Sequence, residues 1–434
     1  MSPTATGLLG MAVLLVLLFL RMPIGIAMSL VGAIGIAALN SPDAALIALG
    51  SYPYSYSAVH SLSVIPLFVL MGNFAVVSGM ASDLYAAAYA WVGHRRGGLA
   101  SATILGCAGF AALSGSSVAS AITMGRVALP EMRNYSYDAR LATGTVAAGG
   151  TLGILIPPST ILVVYALLTE QSIGRLFLAG FLPGLLLTLL FVVTVVLITR
   201  FRPHLGPPGR AVPLAERLAT LRRGGALIVV VVVTIGGIYA GVFTVTEAAA
   251  VGAALTMAHA ILRRRLTRAT LADALLQTVR TTAMVFLILI GAHIFSPFLA
   301  ITRIPIELAE SMMSLGLPPL GVLTIILAAF VVLGMFLEGF AMMVLTIPIV
   351  FPILTAVGYD PIWFGIIMVI VLEMGLISPP VGINVFVVKG VAEDVPMGKI
   401  FAGITPFWIA MLVCVALLIV FPEVALFLPN TMVN

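Results

Sequence analysis

Long stretches of this chain carry no Asp, Glu, Lys or Arg; residues 177–199, 224–246, 281–302 and 401–422 are examples. Each can cross a hydrocarbon core, which takes roughly 20 residues of helix. Backbone amides and carbonyls find no partner in lipid, so such stretches must be helical. Of the 434 residues, 61% are apolar and 9% charged, more apolar surface than a water-soluble fold of this length hides. The fold class is therefore all-α and polytopic, with the lipid bilayer as its solvent. No GxxxxGK[ST] phosphate loop occurs, so no ATPase engine is expected. No HExxH pair or nucleophile constellation occurs either, which argues against an enzyme. Cys107 and Cys414 fit no metal or redox spacing and are expected to pack, as are His60, His259 and His293.

Spans are predicted near residues 7–20, 22–39, 60–80, 141–168, 177–199, 225–241, 246–262, 280–300, 362–388 and 404–424, with Glu247 opening one of them. The first run lacks a basic flank and is read as a span, not a cleaved signal. The longest polar insert is residues 200–223. With the N-terminus outside, all 21 Lys and Arg residues except Arg175 and Arg303 fall on the cytoplasmic side. That asymmetry orients the chain and puts both termini outside. The net charge of +5 is thus mainly a topology signal; nucleic acid is not an expected partner, while anionic headgroups are compatible with the arginine loops.

Two apolar segments do not fit as single crossings. Residues 97–125 lie between Arg95, Arg96 and Arg126, Arg133, Arg140, so one crossing would expose a basic cluster outside. A re-entrant hairpin keeps both clusters inside, with its turn in Leu113, Ser114, Gly115, Ser116 and Ser117. A full span with a Ser-rich packing face is the alternative. Residues 318–350 are flanked instead by Glu307, Glu310 and Asp360, which fits a hairpin entering from the outside. Its tip is predicted at Gly334, Met335, Phe336, Leu337, Glu338 and Gly339.

Two predicted spans are broken by paired prolines, in GILIPPST (153–160) and GLISPPVG (375–382). Proline lacks the N–H a helix interior needs. One offset carries Pro130 onto Pro352, Tyr137-Asp138 onto Tyr359-Asp360, Gly153 onto Gly375, Pro157-Pro158 onto Pro379-Pro380 and Ser117 onto Gly339. Such agreement marks an internal duplication. Because the two hairpins enter from opposite faces, the repeats are inverted. Inverted repeats with broken helices are the build of secondary transporters.

A break frees carbonyls that suit a hard cation such as Na⁺, and amides that suit a carboxylate. Proline is expected at the first position of each second half-helix, and Ser378 as an N-cap. Ser114, Ser116, Ser117 and Thr151 offer hydroxyls nearby. Glu338 and Glu373 are carboxyl groups in apolar runs, costly unless used. Glu338 either serves the site or structures the hairpin, and Glu373 either serves the site or stabilises the break. Asn384 either reaches the site or bonds between helices. Ser159, Thr160 and Asn384 are the candidate substrate contacts.

The hairpin SGSSVASA (114–121), the two breaks and the EGF stretch (338–340) resemble the large membrane subunit of tripartite ATP-independent periplasmic (TRAP) transporters, of the ion-transporter superfamily. The resemblance covers essentially the whole chain. It implies a bacterial inner-membrane importer of organic acid anions (dicarboxylates, keto acids, sugar acids or sialic acids) driven by Na⁺, with no cofactor. It implies a periplasmic substrate-binding protein and a small four-helix membrane subunit as partners, the latter expected as a separate chain. It also implies an elevator mechanism. Scaffold helices are then expected in 1–80, 177–300 and the C-terminal helix 401–434, and transport repeats in 81–176 and 301–400. Carried over by motif, the Na⁺ ligands fall at Ser114, Gly115, Ser116, Ser117, Gly150, Thr151 and Gly153 in the first half. In the second half they fall at Gly334, Glu338, Gly339, Gly375, Ser378 and Pro379. A stand-alone anion/Na⁺ symporter of the related ion-transporter group is the alternative, and a channel a more distant one.

Overall fold

The computed structural model describes residues 2–314 and 316–432, and every regular element among them is helical. The chain opens with α1 (Pro3–Phe19), α2 (Ile24–Leu39), α3 (Pro42–Ser57), α4 (Val64–Ser78) and α5 (Met80–Val92). Then come α6 (Gly98–Ser114), α7 (Ser117–Asn134), α8 (Ala139–Leu155) and α9 (Thr160–Thr169). The middle of the chain is α10 (Ile173–Phe201), α11 (Leu214–Tyr239), α12 (Val245–Leu262), α13 (Arg268–Thr302) and α14 (Ile304–Ser314). The pattern of the second group returns in α15 (Pro319–Gly334), α16 (Gly339–Val357), α17 (Pro361–Leu376) and α18 (Ile383–Val391), before α19 (Met397–Val420) and α20 (Glu423–Thr431) close the chain. Among the described residues, seven helices are long and apolar enough to span a membrane, eight if α8 and α9 count as one bent span.

Residues paired by the duplication occupy matching places. Asp138 caps α8 by accepting from Arg140 N, and Asp360 caps α17 by accepting from Ile362 N and Trp363 N. Pro130 lies inside α7 and Pro352 inside α16. Ser117 is the first residue of α7 and Gly339 the first of α16. Helix pair, turn, then interrupted helix therefore occurs twice in the same register.

The helices pack in two neighbourhoods. α2 lies against α13 and α4 against α12, while α6, α7 and α19 pack around α8, with α10 touching α6, α8 and α19. Loops assigned by charge to one side bond to each other. Gly97 N donates to Gly206 O, Asp138 N to Leu205 O and Gly209 N to Gly93 O. Arg263 pairs with Asp83, and Arg133 with Asp394. From the opposite set, Thr4 bonds Glu307 and Arg175 bonds Asn430.

Several boundaries differ from the sequence reading. α3 and α5 were not predicted: α3 carries polar residues and Pro53, and α5 is too short to span. The hairpin helices run on past residues 125 and 350, because α7 and α16 accommodate Pro130, Pro348 and Pro352 internally. The insert 200–223 is half helix, since α11 starts at Leu214. α13 begins well before residue 280, at a Thr267–Thr270 capping box.

Candidate functional site: two hairpin tips on two helix breaks

The first tip is a two-residue turn, Gly115 and Ser116. α6 ends at Ser114, Gly115 takes φ 59°, and Ser116 caps α7 by accepting from Ala119 N at 3.3 Å. The left-handed φ explains glycine at 115. The Ser114 and Ser120 hydroxyls bond across the turn at 2.8 Å. This tip sits on the first break backbone to backbone. Thr160 Oγ1 donates to Gly115 O at 3.1 Å. A Cβ at Gly153 would stand 2.5 Å from Ser116 O, and one at Gly150 would stand 3.2 Å from Ser117 O. Ser159 caps α9, accepting from Leu162 N at 3.3 Å, while Thr151 Oγ1 donates to Ala148 O of its own helix at 2.6 Å.

The second tip is built differently. Glu338 is the N-cap of α16, its carboxylate accepting from Phe340 N at 3.2 Å and Ala341 N at 3.4 Å. A carboxylate at a helix N-terminus is favourably placed. Tip and break again meet through glycine: a Cβ on Gly375 would lie 2.6 Å from Gly334 Cα. Gly339 also faces Ile161 of α9, 3.2 Å from its would-be Cβ, so the second tip reaches the first repeat.

At the second break two expectations are corrected. Ser378 is not the cap of α18: that position is Gly382, at φ 63°, and Ser378 Oγ donates to Met374 O at 2.6 Å and accepts from Trp408 Nε1 at 2.9 Å. Nor do the prolines open the second half-helices. Pro157-Pro158 and Pro379-Pro380 lie in the links, because each following helix starts beyond its own non-helical cap, Ser159 or Gly382.

Among the predicted substrate contacts, Ser159 and Asn384 are buried and Thr160 is half-buried. Asn384 Nδ2 donates to Glu373 Oε2 at 3.2 Å. The structure thus joins Glu373 to the site group; an acid inside an apolar run was the signal for it. Trp408 gave no such signal, since it reaches Ser378 from a helix distant in sequence. It also lines a cavity of about 340 Å³ with Met335, Ser378, Pro379, Phe401 and Thr405.

A helical membrane chain that seats two hairpin tips on two interrupted helices has the layout of a transporter. It shares its fold with the YdaH transporter of Alcanivorax borkumensis, at a TM-score of 0.64 and 15% identity over 89% of this chain and 91% of that one. The model of the family described as "Tripartite ATP-independent periplasmic transporter, DctM component" matches residues 11–424, and the chain belongs to that family. It is 39% identical to the C4-dicarboxylate TRAP transporter large permease protein DctM of Pseudomonas aeruginosa, over 93% of this chain and 94% of the relative. It is 33% identical to the sialic acid TRAP transporter large permease protein SiaM of Vibrio cholerae, over 95% and 96%. The family is one of transporter permeases, and this chain is a multi-pass membrane protein of it.

Proposed function

We propose that this chain is the large subunit of a Na⁺-coupled importer of organic acid anions. It works in the bacterial inner membrane with both termini on the periplasmic side. A periplasmic substrate-binding protein delivers the solute, and a small four-helix subunit braces the permease. The observation that carries the reading is the contact of each tip with its own break, Gly115 and Ser116 with the first, Gly334 with Gly375 at the second. Carbonyls crowd together there, and oxygen donors are what an alkali cation takes up. Ser114, Ser116, Ser117, Gly150 and Gly153 supply the first cluster, and Gly334, Gly339, Gly375 and Ser378 the second; Glu338 adds charge at the second tip. The start of α18 has no side-chain cap, so its free N–H groups favour a substrate carboxylate. Both hairpins enter the membrane without crossing it. They and the broken helices move as a unit past α2, α4, α12 and α13, in the manner of an elevator.

The test is uptake into proteoliposomes from a panel of radiolabelled C4-dicarboxylates, keto acids, sugar acids and sialic acid. Accumulation of one of them is expected only with an inward Na⁺ gradient and all three components present. Na⁺-driven uptake by this chain alone would establish the stand-alone symporter instead, and ion flux without saturation a channel.

A further inference from the structure

A cleft of about 430 Å³ opens at the surface between the start of α8, the end of α10 and the first turns of α19. Part of its wall is fixed backbone. A Cβ on Gly403 would stand 2.0 Å from Arg140 O, and one on Gly144 would stand 2.4 Å from Gly403 C, so α8 and α19 touch there. The facing wall is apolar: Leu197 and Phe201, one turn apart on α10, are both exposed. Two guanidinium groups reach the cleft from different elements, Arg140 from the first turn of α8 and Arg202 from the C-cap of α10. No Asp or Glu lines it. Arg133 and Arg263 have carboxylate partners, whereas Arg140 and Arg202 are in no ion pair among the described residues. The carboxylate nearest in sequence, Asp138, accepts from Arg140 N at 2.8 Å as the cap of α8. Asp138 N in turn donates to Leu205 O, so the two segments that carry these arginines are tied together. A free anion would fill only the charged part of this cleft, and a neutral lipid only the apolar part.

We propose that the cleft is a binding site for one anionic phospholipid, its phosphate held by Arg140 and Arg202 and an acyl chain lying along Leu197 and Phe201. The planar guanidinium fork matches a phosphate through paired N–H donors. Basic pockets between membrane helices on the cytoplasmic side capture anionic headgroups in this way. The bound lipid ties the head of α8, the first half of a broken span, to the end of α10. Arg140 stands at the opposite end of α8 from the break, so the site is separate from both tips and needs neither a coupling ion nor a solute. Only the leaflet, the cytoplasmic one, follows from the orientation given above.

The full chain in phosphatidylcholine nanodiscs is titrated with phosphatidylglycerol; retained lipid is counted by native mass spectrometry, and melting is followed in parallel. Wild type is expected to retain one phosphatidylglycerol and to melt higher with it than without. Arg140→Gln with Arg202→Gln is expected to weaken this binding about tenfold or more. Arg222→Gln with Arg223→Gln removes the same charge from exposed positions on α11 and is expected to leave the binding unchanged. Leu197→Ala with Phe201→Ala keeps both arginines and is expected to weaken it as well, because the acyl chain loses its wall. Equal losses in the two arginine pairs would reduce the effect to general attraction by a basic surface and overturn the site. Unchanged binding in Arg140→Gln with Arg202→Gln, or phosphatidylcholine retained as firmly as phosphatidylglycerol, would overturn it too. Equal stabilisation by glycerol 3-phosphate, or no loss in Leu197→Ala with Phe201→Ala, would replace the lipid by a soluble phosphate. Release of the bound lipid on adding a small membrane subunit would make the cleft a protein interface instead.

Discussion

The two helix breaks descend from one pattern and finish it differently. In the first, Ser159 caps α9 and Thr160 bonds the hairpin tip, and Pro157 and Pro158 are buried. In the second, Gly382 takes the cap position without a side chain to offer, and Pro379 and Pro380 are exposed. The first break satisfies its polar groups locally with hydroxyls. The second leaves an amide end free and keeps a buried carboxyl, Glu373, one turn before the link. The two halves share a skeleton and differ in chemistry: closure by hydroxyls in one, a buried carboxyl and an uncapped helix end in the other.

What the halves still share is the glycine seat of each tip, and breaking it has the largest expected effect. A valine at 153 meets Ser116 carbonyl atoms, and a valine at 375 meets Gly334 Cα and C. Both obstacles are backbone and cannot swing aside. Gly153→Val and Gly375→Val are each expected to cost about 2–3 kcal/mol, read as a lower melting temperature and loss of a monodisperse peak on gel filtration. A variant that melts like wild type would show that its tip is not seated on its break.

The caps separate the halves at the next level. Ser159→Ala removes a side-chain acceptor and is expected to cost about 1 kcal/mol. Gly382→Ala forces a Cβ into left-handed backbone and is expected to cost about 1 kcal/mol for a different reason. The two are told apart by Ser159→Gly and Gly382→Asn: glycine is tolerated at an N-cap and Asn in left-handed backbone, with the Phe401 ring the group that must give way at 382, and each should recover part of the melting temperature. If neither recovers, the caps do not set the stability of these half-helices.

The duplicated skeleton was legible in the sequence because it rests on strong local signals. Paired prolines, capping aspartates and glycines at one offset placed tips and breaks correctly. Loops that the Lys and Arg positions assign to one side of the membrane bond to each other. Ser378 is a good capping residue by type, yet the second link is longer than the first and carries the chain past it to Gly382. α3 and α5 were missed since neither is apolar enough to be seen as a span. The sequence leaves Asn384 open between the site and a helix contact, because its bond to Glu373 spans a link whose path the sequence does not dictate.

The smallest expected effect tests what Ser378 does instead of capping. Its hydroxyl lies between Met374 O and Trp408 Nε1, so it fastens the end of α17 to α19. Ser378→Ala removes both bonds without touching the start of α18. Trp408 is only half-buried, so its N–H can turn to water, and the loss is expected to be about 0.5 kcal/mol. The sharper readout is fluorescence: with Trp91 and Trp363 replaced by phenylalanine, Trp408 emission should shift to longer wavelength in Ser378→Ala. An unchanged spectrum together with a cap-sized loss of stability would return Ser378 to the capping role, and the second break would then be organised like the first.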